Sequence, residues 1–165
     1  MRNLRLPLVL FGVLLLQTSI LSALRVDGVH ADALLLLAVA AGLAAGAETG
    51  AAIGFLTGVV ADLFVQTPFG LSALTFAFVG FGTGALRSAL LRSAWWVTPV
   101  TALLASGGGV VAFAVLGAVV GQDHLVTPRL VPIVIVVGVG NAVLSIGIVP
   151  LMTWAVGRSE RAFAR

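Results

Sequence analysis

Residues able to do chemistry are scarce in this chain and mostly stand apart. There are six acids, nine arginines, two histidines, and neither lysine nor cysteine. The absence of cysteine excludes disulfides, thiol catalysis and zinc–thiolate sites. His30 and His124 stand alone in polar stretches without the spacing of metal ligands, and the reading for both is a neutral loop histidine. No Ser, His and Asp set recurs at spacings that would assemble a hydrolase, so no catalytic, metal or cofactor-binding residue is assigned and a non-enzymatic protein is expected. The one arrangement that stands out is Asp62. It follows glycines at Gly42, Gly46, Gly50, Gly54 and Gly58 at the same interval of four residues. On a helix that interval keeps positions near one face. In apolar surroundings, small residues so spaced let two helix backbones approach closely.

The surroundings are apolar indeed. Hydrophobic residues make up 60% of the 165 residues and charged ones 9%, against roughly a quarter charged in soluble domains. With a mean hydropathy of +1.18, lipid is the expected solvent. The formal net charge is only +3, so the high isoelectric point reflects few charges rather than a basic face, and nucleic acid is not an expected partner.

The elements that must position Asp62 follow from the apolar runs. An all-α fold is expected: a polytopic membrane protein, one integral domain and a six-transmembrane-helix bundle. Its spans would cover residues 7–24, 31–47, 50–65, 71–86, 97–120 and 131–156. A basic head before the first run also resembles a signal peptide. The stretch Leu21-Ser22-Ala23 puts bulky leucine where a small residue is preferred, so a retained span is expected. One helix over residues 31–65 would overshoot the hydrocarbon core of about 30 Å, so a break is placed at Ala47-Glu48-Thr49-Gly50. Thr67-Pro68-Phe69-Gly70 reads as a turn, with proline second and glycine free to take positive φ. Gly107-Gly108-Gly109 reads as a packing notch or a helix interruption. With six spans and both termini cytoplasmic, Arg2, Arg5, Arg87, Arg92, Arg158, Arg161 and Arg165 lie inside and only Arg25 and Arg129 outside, a positive-inside bias.

On this layout Glu48 is a solvated turn residue at the inner interface. The glycine ladder is split between two antiparallel helices, leaving Gly54 and Gly58 as one packing face beneath Asp62. Two readings stand for Asp62 itself. Its carboxylate either reaches interfacial water or pairs with Arg25 or Arg129, since an acid in the last turn of a helix faces the negative end of the helix dipole.

The run Gly54-Phe55-x-x-Gly58-x-x-x-Asp62-Leu63, followed by Pro68-x-Gly70-Leu71, resembles the MreD family of rod shape-determining proteins, and Gln17 matches that family's pattern. The residues before Asp32 depart from it, lacking the proline usual there. The resemblance implies a non-enzymatic scaffold of the cell-wall elongation complex in the bacterial inner (cytoplasmic) membrane. It would act in rod shape and peptidoglycan synthesis, with an MreC-like bitopic protein as partner. Through that protein it would connect to an MreB-like filament and to peptidoglycan synthases, with membrane lipid around it. Gly54, Phe55, Gly58, Asp62, Pro68 and Gly70 would then be packing or interface residues, and no cofactor is implied. The family is also similar, distantly, to substrate-binding components of energy-coupling factor transporters. That supplies the alternative function, a substrate-binding component for a small, vitamin-type solute.

Overall fold

The computed structural model describes residues 4–21, 29, 31–64, 68–87, 96–122 and 127–156. Its elements in chain order are α1 (Arg5–Leu16), which runs into a π-helical turn over Gln17–Leu21, then α2 (Ala33–Ala45), α3 (Ala47–Asp62), α4 (Leu71–Ala85), α5 (Val97–Val119) and α6 (Leu130–Val156). The all-α expectation agrees with this.

Helix α2 is the centre of the molecule. Its leucines and alanines are strong helix formers, and Asp32 starts it by accepting hydrogen bonds from the N–H groups of Leu34 (3.1 Å) and Leu35 (3.0 Å). Every residue of α2 except Ala45 is buried. A helix apolar on all sides must be enclosed, and here α1, α3, α4, α5 and α6 all contact it. It ends at Gly46, whose φ of 92° is open to glycine at little cost. That single residue separates α2 from α3, so the break falls at Gly46 rather than at residues 47–50. Glu48 instead sits in the first turn of α3, exposed, where its charge faces the positive helix end.

The expected six transmembrane spans are not found. Among the described residues only α5, with 23 residues, and α6, with 27, are long and apolar enough to cross a bilayer. Helices α2, α3 and α4 have 13, 16 and 15 residues. At about 1.5 Å per residue they reach only about 20–24 Å, short of a core of about 30 Å. The physical reason is that hydropathy measures aversion to water without naming the alternative. For α2 that alternative is protein on every side. The description as a polytopic six-transmembrane bundle is therefore corrected, and the cytoplasmic placement of both termini, which was counted from six crossings, goes with it. Of the arginines in that count, Arg2, Arg25, Arg92, Arg158, Arg161 and Arg165 lie outside the described residues.

Helices α5 and α6 form a second antiparallel pair, with Gly107 beside Val134 and Gly138 beside Leu103. Helix α5 runs unbroken through its three glycines. Gly107 faces α6 and Gly109 faces Leu35 and Val79, while Gly108 meets open space. At the end of the bundle where α1 begins, the Arg5 guanidinium lies over the Trp154 ring at 4.5 Å, a cation–π contact joining α1 to α6.

Candidate functional site

The α3–α4 hairpin is the most extensive helix pair in the molecule, and glycine makes it so. Going up α3, Gly50 lies against Gly80, Gly54 against Phe76, and Gly58 against Ser72 and Ala73, an antiparallel register. At each of these positions a Cβ would overlap backbone atoms of α4. The fit is reciprocal, because Gly80 abuts Gly50 and Gly84 abuts Gly46 and Ala47. Gly42, on α2, approaches the same stretch of α4, at Gly80, Thr83 and Gly84. The ladder is thus divided by the Gly46 turn, as the split reading expects, yet Gly42 and Gly50 converge on one neighbour. A regular interval that looked partly coincidental across the turn serves a single contact.

Asp62 is the next step of that ladder, and it lands on the start of α4. Its carboxylate accepts hydrogen bonds from the N–H groups of Gly70 (2.8 Å), Ser72 (3.0 Å) and Ala73 (3.3 Å). Helix α4 opens on Gly70, which has no side chain to cap it. Asp62 supplies the missing cap from the neighbouring helix, with its negative charge at the positive end of the α4 dipole. The side chain is 5% exposed, so it does not stand in interfacial water. Nor is an arginine its partner among the described residues: Arg129 is exposed and makes no ion pair there, and Arg25 lies outside them. The donor that Asp62 needs is the backbone of α4.

The remaining residues of the motif divide by role. The Pro68 carbonyl accepts from the Leu71 N–H at 3.2 Å, so the turn runs from Pro68 to Leu71. Gly70, with φ 100° and ψ −11°, occupies its third position, where a type II turn requires positive φ. The turn is one residue further along than the sequence suggests, and Thr67 lies outside the described residues. Phe55 points away from the hairpin and is 51% exposed.

A second polar node joins residues far apart in the sequence. The Asn141 amide, fully buried on α6, donates to the Asp32 carbonyl and to Ser106 Oγ, both at 2.9 Å. Gln17 Oε1 accepts from the Ala33 N–H at 2.9 Å. Four elements are therefore tied around the start of α2: the π turn, α2, α5 and α6. Gln17 and Asn141 stand out in the sequence as polar residues inside apolar runs, but their partners are 16 and 109 residues away. Ser145, on α6, bonds its own helix, donating to the Ala142 carbonyl.

Chemically, the Asp62 carboxylate and the Asn141 NH2 group are committed to holding helices, while the buried Asn141 Oδ1 has no hydrogen-bond partner. A carboxylate whose oxygens already accept three amide protons is positioned as a brace. Among the described residues no three His, Asp or Glu side chains gather where they could hold a metal. Comparison with known proteins adds no identity: no family model matches the chain, and neither the curated proteins nor the solved structures contain a match.

Proposed function

We propose that this chain is a non-enzymatic scaffold of the MreD kind, acting in bacterial cell-wall elongation, rod shape and peptidoglycan synthesis. The observation that carries the reading is the use to which the motif is put. Gly54 and Gly58 seat α4, Asp62 caps it, and Pro68 and Gly70 turn the chain into it. A motif spent on bracing one hairpin suits a protein whose work is to hold others in place. The exterior agrees with a membrane setting, since Phe55, Phe78, Phe81, Leu104, Val143 and Ile146 are all more than half exposed. In this reading the inner membrane holds the protein through α5 and α6. An MreC-like bitopic protein is the direct partner, and through it come the MreB-like filament and the peptidoglycan synthases.

The test is affinity purification of the tagged full chain from native membranes. Recovery of an MreC-like bitopic protein together with wall synthases is the expected result. Recovery of an ATPase-driven transport module without them would replace the scaffold by the solute-binding alternative.

A further inference from the structure

A groove of about 410 Å³ lies between α4 and α5. Gly82 and Gly108 open it, since no atom lies near where a Cβ would stand on either. Leu86 and Leu104 line it too, and both are more than half exposed. The Thr83 hydroxyl is spent on its own helix, donating to the Val79 and Gly80 carbonyls. What the groove offers an occupant is therefore apolar contact. Leu86, just past the last turn of α4, and Thr101, near the start of α5, mark one end of it.

A cation stands at that end. Arg87 follows Leu86 directly and lies one turn beyond Thr83, with its guanidinium beside the Gly46 turn. It is half-buried, its Nε is enclosed without a hydrogen-bond partner, and it forms no ion pair among the described residues. A guanidinium so placed has donors to spare for an anion. Glu48, exposed in the first turn of α3, is at this end of the bundle but does not take them. Trp96, which opens α5, is 54% exposed at the same end, and Trp154 beside Arg5 is 50% exposed. Exposed indoles settle at the headgroup level of a membrane.

From this juxtaposition we infer that the groove holds an anionic phospholipid, with its phosphate on Arg87 and one acyl chain laid between α4 and α5. The planar guanidinium fork matches phosphate oxygens, and the negative charge of the lipid complements a cation that the protein leaves unpaired. A zwitterionic lipid with the same chains binds less well, because its own cation competes with Arg87 for the phosphate. The inference rests on the membrane setting proposed above and not on the protein partners, so lipid retention and partner recovery can fail separately.

The test titrates the detergent-purified full chain with phosphatidylglycerol or phosphatidylcholine of identical acyl chains, read by native mass spectrometry as lipid retained per chain. Saturable retention of one phosphatidylglycerol is expected, with a preference of about fivefold over phosphatidylcholine. Glycerol phosphate, the head without the chains, does not displace it. Arg87→Gln removes a group with no partner in the protein, so it keeps the fold and abolishes the preference. Gly108→Leu puts a side chain into the groove where nothing obstructs its Cβ, and it lowers retention of both lipids. Equal retention of the two lipids by the wild type, displacement by glycerol phosphate, or retention unchanged in either variant would overturn the inference.

Discussion

Asp62 is 5% exposed, and a buried ion needs compensation from charge or from several hydrogen bonds. Three backbone amides at the positive end of α4 provide it. Asp62→Ala leaves those donors without a partner and is expected to lower stability by about 2–3 kcal/mol. Asp62→Asn keeps one oxygen acceptor and costs about 1 kcal/mol. Denaturant titration in micelles measures both. Exchanging charges between positions 62 and 129 should rescue nothing, because Arg129 is exposed and unpaired with the acid. Recovery of stability in that double variant would restore the ion-pair reading. The importance of Asp62 was visible in the sequence; its partner was not, because a backbone N–H is present at almost every residue and only the approach of two helices selects three of them. The one local hint was that Gly70 leaves α4 without a cap of its own.

At the scale of elements, α3 and α4 meet because side chains are absent. The ladder on α3 is a row of one-in-four positions flattened by glycine, and the α4 backbone lies in the resulting trough. Gly58→Ala would drive a methyl group into Ser72 and Ala73. An overpacked contact of this kind costs about 1–3 kcal/mol. Gly147→Ala, on α6, has the opposite sign: nothing lies near the added Cβ, and the helix gains up to about 1 kcal/mol from a better former. Thermal unfolding of the two variants beside the wild type reads the difference, and a shift of the same sign in both would refute this account of the ladder. The spacing of four predicted a close face. That Gly42 joins it from another helix required the Gly46 turn, whose angle of 92° folds α2 and α3 onto the same neighbour.

For the whole molecule, the deciding feature is where the apolar surface goes. Helix α2 gives it all to protein, whereas α5 and α6 turn Leu104, Val115, Val119, Val143 and Ile146 outward. The two long helices are those that, by length and composition, could cross a bilayer. In the proposed membrane setting the full chain stays in the pellet through an alkaline carbonate wash. Release into the supernatant would remove the membrane from the proposal. Six apolar runs were legible along the sequence, but runs of 13 to 16 residues are as suited to a protein core as to a thin stretch of bilayer.

From composition and periodicity alone, the helical class, the glycine ladder and the singular position of Asp62 follow, because each rests on interactions within a few turns of chain. Tertiary structure decided what each residue faces. It turned α2 from a span into a core and assigned Asp62 to the amides of α4. It also set Asn141 on a carbonyl 109 residues away. Those outcomes depend on which helices become neighbours. A local pattern fixes the faces available for packing, and only the assembled bundle pairs them.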